Sequence, residues 1–316
     1  MRGRGLPGGR RAVVAAGLLA ALLPLLLPAG AAAAPASAAF LPTAGDARTF
    51  GLAGAGAGLV DGASAALVNP ARLDFARQKS VTAGYWRPIE SLASDRIELA
   101  YAQPVGPDIA GPGQTRGVSP FAFGVTAQYQ GVELALGSGY WEGALGVAAG
   151  VALQSYVALG LGVRALRADS ELDDVSASGT AVDLALSATL YPGLDAALVG
   201  RNLFGSAQYE GAESEGLVRA YLFGLAWTPR PELAAELDFQ AESGDAYSAV
   251  VGLEAVLKHT LVLRAGARQW IQPESRLVPA AGLGVRLAGF TVDYGAQFDE
   301  DEALGLGHRV SLGARF

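Results

Sequence analysis

The sequence predicts an all-β fold, a membrane-spanning antiparallel up-and-down β-barrel of about fourteen strands with an N-terminal plug segment. Three observations predict it. From Ser80 to Phe316 the chain is a train of short segments in which every second residue is apolar. An export signal opens the chain, and the links between segments alternate between very short and longer. The closing segment shows the first point: Val310, Leu312, Ala314 and Phe316 alternate with Arg309, Ser311, Gly313 and Arg315. Successive strand side chains point to opposite faces, so one face is apolar and the other carries the charge. In an outer-membrane barrel the apolar face meets lipid and the charged face lines a lumen.

Arg2, Arg4, Arg10 and Arg11 precede the apolar run Ala12 to Leu27, and Ala36 and Ala38 give an A-x-A cleavage pattern. Together these read as a secretory signal peptide over residues 1–38, with the mature chain starting near Ala39. No later stretch offers about 20 consecutive apolar residues free of charge, so a second spanning helix is not expected. With no cysteine, the chain has neither the lipid-attachment residue of a lipoprotein nor a disulfide framework. The domain expectation is a signal peptide over 1–38, a plug or hatch segment over 39–79 and the barrel over 80–316.

Composition agrees. The mean hydropathy is +0.30, 51% of residues are hydrophobic, and 43 glycines argue against a helical bundle. Removing the four positive charges of the leader from a net charge of −7 leaves −11. Such a chain lacks the basic face that nucleic-acid phosphates require.

Fourteen strands are expected near 80–87, 95–103, 119–129, 142–153, 155–167, 179–191, 194–204, 217–228, 231–241, 247–257, 260–270, 276–287, 289–298 and 305–316. Many approach the roughly 9–11 residues a tilted strand needs to cross a bilayer, and an even count suits a barrel with both termini on one side. From the fourth strand on, every second link is very short: Gln154, Pro192-Gly193, Pro229-Arg230, Lys258-His259 and Ala288-Gly289. The links between them are longer and polar, as in outer-membrane barrels with short periplasmic turns and longer external loops. Pro104 to Val118 breaks this rule, being long where a short turn belongs.

Facing is set by parity. Val157, Leu159, Leu161 and Val163 are placed towards lipid, with Arg164 on the other face; Val182, Leu184 and Leu186 stand opposite Asp183. Leu233, Leu237 and Phe239 oppose Glu236 and Asp238, while Leu261, Leu263 and Ala265 oppose Arg264 and Arg268. Phe290, Val292 and Tyr294 oppose Asp293. Charge on a lipid face costs about 2–4 kcal/mol at the midplane, so its confinement to one parity is informative. The lumen-facing set is therefore Arg164, Asp183, Glu236, Asp238, Arg264, Arg268 and Asp293, of mixed sign, which fits an ion-pair network better than a one-signed selectivity stripe. Tyr85, Trp86, Tyr191, Tyr221, Trp227 and Trp270 lie towards strand ends, where interfacial aromatic girdles form.

Residues 44–75 read AGDARTFGLAGAGAGLVDGASAALVNPARLDF. Small residues dominate, with an acidic pair at Asp46 and Asp61. Proline restrains the residue before it to extended conformations, so a short helix from about Ala63 is expected to end at Asn69, whose side chain can cap the next turn of chain. The candidate plug and gating residues are Asp61, Asn69, Pro70 and Ala71.

The run Asp61 to Ala71, D-G-A-S-A-A-L-V-N-P-A, resembles the N-terminal signature of FadL-like outer-membrane barrels and their PorV-like relatives. In those families the asparagine-proline-alanine step lies in an N-terminal hatch that occludes a fourteen-stranded barrel. Arg201-Asn202-Leu203-Phe204 also resembles the asparagine-leucine step that PorV-like chains carry in mid-barrel. The FadL-like resemblance implies uptake of hydrophobic small molecules across the outer membrane of a Gram-negative-type bacterium, with lipid and lipopolysaccharide around the barrel. The PorV-like resemblance implies instead an accessory barrel working with secretion machinery, and a passive porin is the third reading.

Catalysis is not expected. A lipase needs serine beside a histidine base, and the two histidines, His259 and His308, have no serine and acid motif next to them. Two histidines without cysteine do not make an ordinary zinc site, and no cofactor is expected. Acidic residues gather in four expected outer loops: Asp169, Glu171, Asp173 and Asp174; Glu210, Glu213 and Glu215; Glu242 and Asp245; and Asp299, Glu300, Asp301 and Glu302. Divalent cations favour such oxygen ligands, but solvated loops are the favoured reading.

Overall fold

A computed structural model of the chain describes Phe40 and residues 45–75, 78–87, 93–106, 120–133, 139–171, 175–211, 214–299 and 306–316. The expected signal peptide, most of the Pro104 to Val118 link, and Asp173, Asp174, Glu213, Glu300, Asp301 and Glu302 lie outside the described residues.

Alternating side chains and β-branched residues produce long strands: β1 Ser80–Arg87, β2 Ala93–Val105, β3 Phe121–Glu133, β4 Gly139–Gln154, β5 Val157–Ser170, β6 Val175–Tyr191 and β7 Leu194–Tyr209. They continue with β8 Glu215–Gly216, β9 Ala220–Arg230, β10 Leu233–Glu242, β11 Ala246–Leu257, β12 Leu261–Gln272, β13 Arg276–Leu287, β14 Phe290–Phe298 and β15 Leu306–Arg315. Each long strand pairs antiparallel with its neighbours, β7 pairs with β9, and β1 pairs with β15, so fourteen strands close a ring. Closure leaves the ring without a sheet edge. The two-residue β8, which sequence parity did not reveal, hangs on Ser206 and Ala207 of β7 outside the ring.

The strands run further towards one rim than expected because polar residues continue the ladder: Ala168, Asp169 and Ser170 of β5 still pair with Ala177, Ser176 and Val175 of β6. At the other rim the turns are tight. Ala288 and Gly289 have φ +49° and +86°, and Lys258 and His259 have φ +49° and +59°, the double positive φ of turns whose twist matches the strands they join. Two turns move slightly from their expected places, to Ser155-Tyr156 and Pro231-Glu232, since the strands before them stay paired through Gln154 and Arg230.

Outward parity is exposed and apolar, as at Leu159, Leu161, Leu253, Leu263, Val292 and Leu312. Val157 and Leu186 are exceptions: their parity is outward, but they are buried in a cluster with Tyr156, Ala188 and Leu198, with Leu203 and Phe223 packed against it. The girdle assignment also needs correction. Tyr85, Tyr191 and Trp227 are exposed, whereas Trp86 and Trp270 carry inward parity and stack on lumen arginines, Arg309 over Trp86 at 4.3 Å and Arg268 over Trp270 at 5.2 Å. Adjacent strand residues cannot share a face, so Tyr85 pointing out sends Trp86 in.

Leu161 lies at 46% exposure in mid-strand, paired with Leu184 and Ala149. Leu161→Arg is expected to destabilise the barrel in lipid by about 2–4 kcal/mol, and Phe298→Arg, at a strand end, by at most about 1 kcal/mol. Urea unfolding in vesicles measures both, and equal penalties would contradict the assigned depth.

Candidate functional site in the barrel lumen

The segment Gly45 to Phe75 folds from local signals. The Asp46 side chain accepts the Thr49 N–H at 3.0 Å and starts the single turn α1, Ala47–Phe50. A second helix, α2, spans Ala63–Val68 and stops at Asn69, held extended at φ −148° ahead of Pro70. Asn69 Oδ1 accepts the Ala71 N–H at 3.0 Å, capping the 3-10 turn Pro70–Phe75. Asn69 Nδ2 donates to the Ala57 carbonyl at 2.6 Å and to Ser187 Oγ of β6 at 3.1 Å. Asn69 is wholly buried and so ties both halves of the segment to the wall.

Packing against the wall depends on glycine. On the charged parity of the strands, Gly160, Gly224, Gly252, Gly266, Gly282 and Gly295 each face this segment so closely that an added Cβ would meet it. At Gly160 that atom would fall on the Pro70 and Ala71 backbone, 2.7 Å from Ala71 Cα; at Gly266 it would lie 2.7 Å from the Leu52 carbonyl oxygen. Real Cβ atoms do not come this close, so wall glycine and segment backbone are matched surfaces. Nearer the turn rim the contact is apolar: Val60, Ala63, Ala65, Val68 and Leu73 form one core with Ala100, Ala102, Ala122 and Ala148 of β2, β3 and β4.

The inward charges are largely paired. Arg164 donates to Asp183 at 2.9 Å and to Asn202 Oδ1 at 2.6 Å. Asp183 also accepts the Asn202 N–H at 2.8 Å, where the β6–β7 register shifts. The Arg201-Asn202-Leu203-Phe204 step is thus a bulge, with Asn202 left-handed at φ +52°. Asp238 accepts the N–H groups of Gly56 and Ala57 at 3.0 and 3.2 Å, and Glu236 accepts that of Gly58. Arg264 bridges Glu254 at 2.8 Å and Asp293 at 2.7 Å. Arg268 donates to the Ala53 carbonyl at 3.1 Å and to Gln240 at 2.7 Å. At the turn rim Asp61 meets Arg48 at 3.3 Å and Arg315 at 3.0 Å.

Sequence parity did not single out the residues that join segment to wall most strongly. Arg48 donates to Glu254 through two nitrogens at 2.8 and 3.2 Å. Burial alone would lower its pKa, but Glu254 and Asp61 outweigh that and hold the guanidinium above the usual arginine range. Arg72, 1% exposed at its side chain, reaches Asp195 of β7 at 3.1 Å. Phe50 sits 5.5 Å from Trp86, with Arg309 over both rings. Two arginines in a run of small residues were the available signal. Above the segment, a cavity of about 30 Å³ is lined by Phe40, Arg96, Gln128, Glu142, Arg164 and Asn202, and the Phe40 N–H donates to Glu142 at 3.0 Å.

No family model and no curated protein matches the sequence. Solved structures do match its shape. The monoaromatic hydrocarbon channel CymD superposes with a TM-score of 0.63 at 14% identity, covering 88% of this chain and 99% of that one. The toluene transporter TbuX of Ralstonia pickettii gives 0.61 at 13% identity, over 88% of this chain and 100% of that one. A FadL homologue from Pseudomonas aeruginosa gives 0.57 at 12% identity, over 87% and 98%. Fourteen antiparallel strands closed in a ring, superposing over nearly the whole length of these channels, give this chain the fold of the FadL-like barrels.

Proposed function

We propose that this protein is an outer-membrane barrel for the uptake of hydrophobic small molecules, exported by a cleaved signal peptide over residues 1–38 and closed by a plug built from the segment before β1. The observation that carries the reading is the lumen itself, a fourteen-stranded ring whose inner glycines and charges contact the Gly45 to Phe75 segment along its length. The fold likeness to channels for toluene and monoaromatic hydrocarbons supports the cargo class. On this reading the tight turns lie in the periplasm, the longer loops face outwards, and Asn69, Pro70 and Ala71 keep the plug in register.

Deleting residues 45–75 tests it. Every strand of the ring is paired to other strands, so the shortened protein is expected to fold as a barrel, showing the heat-dependent gel shift of the parent. Its conductance in planar bilayers is expected to rise well above that of the intact chain. Failure to fold would make the segment part of the core. A folded barrel that conducts no better would remove the plug and leave the accessory role in secretion as the better reading.

A further inference from the structure

The two rims of the barrel carry opposite charge. At the rim of the longer links, Asp169, Glu171, Glu210, Glu215, Glu242 and Asp245 outnumber the local cations, of which Arg87 and Arg276 are already held by Asp95 and Asp299. The tight-turn rim is basic, and only along one arc. The strands β9 to β15 and then β1 are consecutive in the ring. Arg230 stands at the β9–β10 turn, Lys258 in the β11–β12 turn and Lys79 just before β1, where its carbonyl accepts the Phe316 N–H at 2.9 Å. All three side chains are exposed, and none forms an ion pair among the described residues. Glu232 is the single carboxylate in these turns. Arg286 and Arg315 close by already meet Glu254 and Asp61. On the other half of the rim the turns Ser155-Tyr156 and Pro192-Gly193 carry no charge. Beside the three cations the barrel exposes Trp227, Leu233, Leu257, Leu287, Phe290 and Phe316. Bulky apolar residues at strand ends mark where hydrocarbon gives way to headgroups. A lysine or arginine there lays its stem along the apolar edge and places its charge among the headgroups.

We infer that this arc, from β9 round to β1, binds the headgroups of anionic phospholipids, with Arg230, Lys258 and Lys79 each donating to a phosphate. A phosphodiester accepts the charge-assisted hydrogen bonds that these unpaired side chains have to give. A headgroup of net negative charge brings no ammonium of its own to compete, as a zwitterionic one does. On the topology of the uptake reading, on which the choice of leaflet rests, the tight turns place the arc in the periplasmic leaflet, which is built of phospholipid. The acidic rim at the other end repels the same lipids, so the charge asymmetry favours one orientation of the barrel. The preference is confined to half of the circumference, because the β4–β5 and β6–β7 turns offer no cation.

Trp227 stands on the arc and reports on it. Trp86 and Trp270 point inwards onto arginines, and Trp141→Phe removes the tryptophan at the other rim, leaving Trp227 as the one open to lipid. The protein is reconstituted in phosphatidylcholine with brominated phosphatidylglycerol or brominated phosphatidylcholine as the quencher. The anionic lipid is expected to be favoured at Trp227 by about fivefold or more, the effect of a single cation at an anionic surface. Lys79→Gln, Arg230→Gln and Lys258→Gln together are expected to bring the ratio to about one. High salt is expected to do the same to the unsubstituted arc, which needs no folding control. Arg87→Gln with Arg167→Gln, at the other rim, is expected to leave the ratio unchanged. A ratio near one before substitution, or one that survives both the triple substitution and salt, overturns the inference. Leaflet is tested separately, since the chain has no cysteine. His259→Cys is expected to resist a membrane-impermeant maleimide on intact cells and to react once the outer membrane is permeabilised. Labelling on intact cells would overturn the periplasmic leaflet, and with it the topology of the uptake reading, whatever the quenching ratio.

Discussion

Replacing Gly160 and Gly266 together by alanine is expected to unseat the Gly45 to Phe75 segment from the wall without opening the strand ladder. At Gly160 the new methyl group would overlap the Pro70 and Ala71 backbone, and at Gly266 it would overlap Leu52 and Ala53. Backbone, unlike the end of a flexible side chain, has nowhere to swing. Each overlap costs about 1–3 kcal/mol as overpacking, while alanine is no worse than glycine within a strand. The penalty therefore falls on the seated segment alone. Trypsin cutting at Arg48 and Arg72 is expected to become fast, and conductance to rise, with the barrel's heat-dependent gel shift unchanged. Gly84→Ala and Gly313→Ala are the controls, because their added methyls find neighbours only at ordinary distances of 3.7–3.9 Å. Equal protease resistance in the double variant and the parent would refute the glycine fit.

Glu254→Ala is expected to be among the most destabilising single substitutions in the lumen. Three arginines converge on this carboxylate: Arg48 at 2.8 Å, Arg264 at 2.8 Å and Arg286 at 3.1 Å. The Arg264 side chain is fully buried, so it cannot recover its lost partner from bulk water. Removing one member of a buried pair costs about 3–5 kcal/mol. The exposed pair Arg87 and Asp95, about half accessible on both sides, is the contrast, and Arg87→Ala is expected to cost less than about 1 kcal/mol. Unfolding midpoints in detergent compare the two. A small effect at Glu254 would show that the lumen is wet enough to screen the cluster.

Alternation along the strands let the barrel, its strand number and the two kinds of rim be read from sequence, because strand parity is local and lipid and lumen demand opposite residue types. The same parity placed Arg164, Asp183, Glu236, Asp238, Arg264, Arg268 and Asp293 on one face, and Pro70 marked the end of α2. Tertiary structure alone decided what those side chains meet. Asp238 reads the backbone of Gly56 and Ala57 across 182 and 181 residues of chain, and Arg48 finds Glu254 across 206; no local pattern encodes such partners. The aromatics show the same limit. Trp86 and Trp270 are near strand ends, as girdle residues are, but they carry the inward parity of Thr82 and Arg268, and only the closed ring brings Arg309 of β15 over Trp86. Glycine was ambiguous in sequence because it is defined by a missing side chain. Gly160 and Gly266 stand on the parity of Arg164 and Arg268, but their meaning emerges only once the backbone of Pro70, Ala71 and Leu52 lies against them.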